Sequence, residues 1–84
     1  MTNHTIETVG CDLGDRVSVL YVLRGDGTGQ RQRVKTDAAA MREFFTRPRA
    51  HVVIEVGMHS RWVSALLKQL GHKVTVANPR RVKF

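Results

Sequence analysis

Val9-Gly10-Cys11-Asp12-Leu13-Gly14 and Val52-Val53-Ile54-Glu55-Val56-Gly57 decide how this chain folds. Each is an apolar run that ends on an acid, with a glycine two residues further on. A carboxylate that closes a buried strand is costly unless it is paired, hydrogen-bonded or bound to a metal. Two acids in the same setting predict a shared acidic site at one edge of a sheet.

Working outward from the first stretch, a strand is expected over about Glu7 to Asp12, with Val9 and Cys11 on one face, and residues 1–5 are polar enough to fray. Leu13-Gly14-Asp15 suits a tight turn into a second strand, Arg16 to Leu23. Val17, Val19, Tyr21 and Leu23 share one face of it and Leu20 and Val22 the other, a pattern that places it inside the sheet. Gly25-Asp26-Gly27-Thr28-Gly29 is a hairpin signal. The third strand, Gln30 to Thr36, is polar, and Arg31, Arg33 and Lys35 alternate onto one face as charges that protect a sheet edge.

Around the second stretch the period changes to that of a helix. Asp37 is a good N-cap for a helix through about Thr46, with Ala38, Met41, Phe44 and Phe45 toward the sheet and Arg47-Pro48-Arg49 ending it. His51 to Val56, broken only by Glu55, reads as a strand buried on both faces. Ser60 is expected to cap a second helix in which Trp62, Val63, Leu66, Leu67 and Leu70 recur at helical spacing, and Gly71 fits its C′ position. Lys73 to Ala77 is a last strand. Two hairpins followed by right-handed crossovers give a mixed α/β sheet covered by helices, which can set strands one and four side by side and parallel. Asp12 and Glu55 would then both lie at carboxyl ends of neighbouring strands. Asn78-Pro79 reads as the start of another helix, with Arg80, Arg81, Val82, Lys83 and Phe84 as its first turn, so the chain is expected to be a truncated or excised part of a longer fold.

Eighty-four residues allow a single small domain with a modest core. Fourteen lysines and arginines against seven acids give a net charge of +7, and ten of the fourteen are arginine, whose planar fork suits phosphate. A polyanionic partner is implied, nucleic acid ahead of membrane. Cys11 is the only cysteine, which excludes an internal disulfide and points to a reducing, cytoplasmic setting, with the thiol acting as a small buried hydrophobe. No run reaches membrane-spanning length.

An acidic centre in a basic surround suits a metal-dependent enzyme acting on nucleic acid. Hard cations such as Mg²⁺ prefer carboxylate oxygens, and a pair of ions can activate the attacking oxygen and stabilise the leaving one. Asp12 and Glu55 are the candidate catalytic residues and metal ligands. Asp15 could reach the same edge or serve as a turn residue paired with Arg16. His59 could meet phosphate at a helix N-terminus, and Trp62 could stack on a base, although its spacing favours the core. His4, His51 and His72 lack zinc-ligand spacing. Neither a nucleophile elbow nor a Walker or dinucleotide fingerprint occurs.

Gly10-Cys11-Asp12-Leu13-Gly14-Asp15, Glu55-Val56-Gly57-Met58-His59-Ser60, Trp62 and Ala77-Asn78-Pro79-Arg80 together resemble the N-terminal catalytic domain of the DEDD insertion-sequence transposases, prokaryotic recombinases. Four motifs fall in the right order at compatible spacing, from about Thr5 to the end of the chain. The resemblance implies an RNase H-like, RuvC-like mixed sheet of five strands, order 3-2-1-4-5, with strand 2 antiparallel, helices packed on it and the C-terminal part of the fold missing. It further implies Mg²⁺-dependent cleavage and rejoining of DNA, guided by an element-encoded RNA. By motif, Asp12 corresponds to the first acid of the tetrad and Glu55 to the second. The last two aspartates belong on a later helix and a serine on a separate domain, neither of which this chain contains. The expectation is a transposase parent and a segment that is catalytically incomplete alone, with weak or absent Mg²⁺ binding and with self-association left open.

Two competitors stand beside it. Gly10-Cys11-Asp12-Leu13-Gly14 followed by a strand also resembles the phosphate-binding hairpin of actin-like ATPases and sugar kinases, although Asp15 takes the place of their usual hydroxyl residue or glycine. A non-catalytic, basic nucleic-acid-binding module is the other. Of the cations, Arg61, Arg80, Arg81 and Lys83 follow predicted strand ends near the acidic edge and are the candidates for backbone phosphates.

Overall fold

A computed structural model describes residues 6–78. Five strands and two helices follow one another as β1 (Thr8–Asp12), β2 (Val17–Leu23), β3 (Gly29–Lys35), α1 (Ala38–Phe45), β4 (His51–Glu55), α2 (Ser60–Gln69) and β5 (Lys73–Ala77). They form a single sheet of order β3-β2-β1-β4-β5, antiparallel across β3-β2-β1 and parallel across β1-β4-β5. The expected α/β class, strand order and antiparallel second strand are all present. The helix expected from Asn78-Pro79 onward falls almost wholly outside the described residues, as do residues 1–5.

Local chemistry explains the element ends. Between β2 and β3, Gly27 adopts φ 88°, and the Asp26 carboxylate accepts from both the backbone N–H and the hydroxyl of Thr28 at 2.9 and 2.6 Å. Those bonds, the hydroxyl first, hold the Asp26 carboxyl below its ordinary value. Asp37 caps α1 as expected, accepting from the Ala40 N–H at 2.8 Å. At the other end of α2, Gly71 turns with φ 94°, the Gly71 N–H reaches the Lys68 carbonyl, and the His72 N–H reaches the Leu67 carbonyl. This paired closure is a Schellman motif, and it explains a glycine there.

Both helices pack on one face of the sheet. Val9, Cys11, Leu20, Val22, Val34, Val52 and Ile54 meet Met41, Phe44, Phe45, Val63, Leu66 and Leu67 in one core. The cause is topological. β3 runs parallel to β1, β4 and β5, and both crossovers, β3-α1-β4 and β4-α2-β5, step the same way across the sheet. Two right-handed crossovers in one direction put their helices on the same side.

That placement corrects three expectations. β4 is not buried on both faces: Val52 and Ile54 are fully buried, whereas His51 and Val53 are half-buried and Glu55 is exposed. The second apolar face of β2 is open, with Val17, Tyr21 and Leu23 between 39 and 56% exposed, although the strand does lie inside the sheet. Ala38 is exposed in the first turn of α1, and Ala40 packs on the core instead. Arg31, Arg33 and Lys35 lie exposed on the edge strand as expected.

The second helix and fourth strand are tied to the first helix by a buried histidine. His72, 4% exposed, accepts at Nδ1 from the Ala50 N–H at 3.0 Å and donates from Nε2 to the Phe45 carbonyl at 2.7 Å. Because Nδ1 must accept, the ring is the neutral Nε2–H tautomer. His72 thus satisfies two backbone groups where α1 gives way to β4, and its ring meets Phe45 edge-on. Among the described residues no helix is long and apolar enough to cross a membrane.

His72→Ala strands a buried donor and a buried acceptor and should cost about 2–4 kcal/mol in chemical denaturation. His72→Phe, which restores volume without the bonds, should recover only part of that loss. Burial pushes the Cys11 thiol up to about 12, so it stays protonated at ordinary pH. Iodoacetamide at pH 8 should therefore leave native protein unlabelled and modify Cys11 only as denaturant opens the fold.

Candidate acidic site at the carboxyl edge

In the parallel pairing of β1 with β4, Cys11 lies opposite Ile54. The next residue on each strand is the acid, so Asp12 and Glu55 occupy matched positions at the carboxyl ends of strands about 4.8 Å apart. Both have the parity of the open face, opposite to the buried Cys11 and Ile54. Both line a cleft of about 190 Å³ together with Leu13, Asp15, Gly57 and His59. The sequence-predicted pair is therefore brought together.

Its setting differs from the one first expected. Asp12 and Glu55 are exposed, and among the described residues neither carboxylate has a hydrogen-bond or ion-pair partner. Water solvates them, so burial imposes no demand for a partner or a metal. Their hard oxygens suit Mg²⁺ in donor type, but the described residues contain no group of three or more metal-ligating side chains. Two carboxylates provide only part of a coordination sphere.

The loops that carry the acids are shaped by small residues. At Gly14 a Cβ would run into the Val17 carbonyl, so the turn from β1 into β2 has room only for glycine. After β4, Ser60 Oγ donates to the Gly57 carbonyl at 2.8 Å and accepts from the Gly57 N–H at 3.1 Å. Ser60 is the first residue of α2, and His59 holds the cap position without a side-chain cap bond. The expected serine cap is corrected accordingly: the hydroxyl fastens the preceding turn because the Gly57 groups lie within its reach.

His59 and Trp62 have roles that their sequence positions did not disclose. The Trp62 indole N–H donates to His59 Nδ1 at 2.9 Å, which leaves the histidine proton on Nε2. That nitrogen faces the Asp15 carboxylate at 3.4 Å, so Asp15 pairs with His59 across the cleft and not with its neighbour Arg16. The i, i+3 spacing of His59 and Trp62 was the available signal, since such residues adjoin on a helix. Trp62 also packs partly against the core, as its spacing suggested.

The basic candidates are less gathered. Arg61 is exposed in the first turn of α2 but lines an adjoining groove with Ser60, Lys68 and Val76, not the acidic cleft. Arg80, Arg81 and Lys83 lie outside the described residues. His51 bonds Thr75 through Nε2 at 2.8 Å on the open face, and His72 belongs to the core.

Nitrogen-15 spectra of the imidazoles should find His59 as the Nε2–H tautomer, and Trp62→Phe should abolish that preference while the fold persists. Set against known proteins, the chain matches no protein-family model and no curated sequence.

Proposed function

We propose that this chain is the N-terminal, RNase H-like part of a DEDD-type transposase or recombinase that acts on DNA. In this proposal Asp12 and Glu55 are two of the carboxylates that hold Mg²⁺ at the phosphodiester to be cut and rejoined. The observation that supports it best is the acidic pair itself, at matched carboxyl ends of adjacent parallel strands in a sheet of order β3-β2-β1-β4-β5. The basic surround adds to this, with a net charge of +7 that favours a polyanionic substrate.

Each residue has a task under this proposal. Asp12 and Glu55 present hard oxygen ligands from a rigid sheet edge, where strand pairing holds their spacing. Bound Mg²⁺ would supply charge neutralisation at the phosphate and activation of the attacking oxygen. Gly14 lets the turn after β1 pass the site with no side chain, and the Ser60 bonds to Gly57 hold the turn that brings His59 to the cleft. Arg61, with Arg80, Arg81 and Lys83, would contact the DNA backbone. Such chemistry uses more than two acids, and the family resemblance assigns the others to a later helix. Cleavage by this segment alone is accordingly not expected. A guide RNA and a cytoplasmic setting belong to the same proposal.

The test is titration of the 84-residue chain with Mg²⁺ or Mn²⁺, followed by amide NMR. Saturable, localised shifts at residues 12–15 and 55–59 are expected, and Asp12→Ala or Glu55→Ala should remove them. Localised shifts that survive both substitutions would sink the metal assignment, as would an absence of shifts with either ion in a longer chain that carries the later helix.

A further inference from the structure

The open face of the sheet carries a second surface, which meets the acidic edge at Asp12 and Glu55. The strand register lays it out. Gly29, Leu23, Thr8, His51 and Lys73 form one row across the five strands, and Arg31, Tyr21, Gly10, Val53 and Thr75 form the next. Arg33 lies beyond them opposite Val19, and Lys35 opposite Val17. Gly10 stands between Tyr21 and Val53, and nothing lies within 4 Å of where its Cβ would be. The missing side chain leaves a furrow of about 510 Å³ walled by Tyr21, Leu23 and Val53 and closed at its carboxyl end by Asp12 and Glu55.

Charge frames that furrow. Arg31, Arg33 and Lys35 run exposed down one flank, and Lys73 is exposed on the other. Arg31 holds its guanidinium 6.0 Å from the centre of the Tyr21 ring, which is 45% exposed. An aromatic ring beside a cation, on an apolar floor with a row of positive charge at about phosphate spacing, suits a flat base and its phosphate backbone together. Paired bases hide their faces in the stack, so the strand must be single. A polyanion answers the row of Arg31, Arg33 and Lys35, whereas a second copy of this chain would bring the same +7 excess of positive charge to the contact.

We infer that the open sheet face binds single-stranded nucleic acid, with bases in the furrow against Tyr21 and phosphates along Arg31, Arg33 and Lys35. The inference needs no metal and does not rest on the transposase proposal. Arg31, Arg33 and Lys35 thus do more than guard a sheet edge: they track the strand.

Fluorescence anisotropy with labelled oligothymidylate of about 12 nucleotides tests this, in EDTA so that metal at Asp12 and Glu55 plays no part. Saturable binding is expected, with an equal-length duplex competing poorly. Tyr21→Ala should weaken binding about tenfold and Tyr21→Phe should retain it. Changing Arg31, Arg33 and Lys35 together to Gln should lower the salt slope by about 2, while Arg42→Gln with Lys68→Gln, on the helical side, should change it far less. Circular dichroism would show that each variant folds. Equal loss from the helix-side pair, equal competition by duplex, or no saturable binding would overturn the inference. So would a dimer in sedimentation that Tyr21→Ala splits, since the face would then belong to a second copy.

Discussion

The parallel ladder between β1 and β4 holds the architecture together, because a parallel neighbour cannot be reached by a tight turn. The chain leaves β3, crosses beneath β2 and β1 as α1, and returns as β4 beside β1. Every later feature depends on that pairing. It closes the sheet's centre, carries Val9 and Cys11 against Val52 and Ile54 in the core, and sets Asp12 beside Glu55. Separate the two strands and the acidic edge ceases to exist, although neither acid has changed.

The same crossover divides the sheet into a covered face and an open one. Both helices lie over the side where Val9, Leu20, Val22, Val52 and Ile54 are nearly or wholly inaccessible. The other side keeps Val17, Tyr21 and Leu23 in contact with water. Exposed apolar surface beside rows of charge usually marks a binding face. Two distinct surfaces result, an acidic cleft at the carboxyl edge and a cation-flanked apolar furrow below it, and Asp12 and Glu55 border both.

Histidines show how far local sequence can mislead about role. His72 follows the glycine that ends α2 and stands out in the sequence only for its lack of zinc-ligand spacing, yet it stitches Ala50 and Phe45 together in the core. His59 looks like a solvated residue before a helix, yet Trp62 and Asp15 hold its ring from both sides. Trp62 is only three residues from His59, but the other partners lie far along the chain: 22 and 27 residues for His72, and 44 for Asp15 with His59. Only folding brings such groups within hydrogen-bond distance.

By itself the sequence determined the elements, their order and the acids that end β1 and β4. Period-2 runs, the Asp37 cap, the Gly27 turn and Gly71 are signals carried within a few residues, and local backbone sterics act at that range. Asp12 and Glu55 were legible for the same reason, as acids closing apolar strands. Only the tertiary structure decided that Val53, Tyr21 and Leu23 face water, that Ser60 fastens Gly57, and that Asp15 meets His59. Which face of a strand is covered depends on the direction in which the crossovers step, and that direction is a property of the assembled sheet.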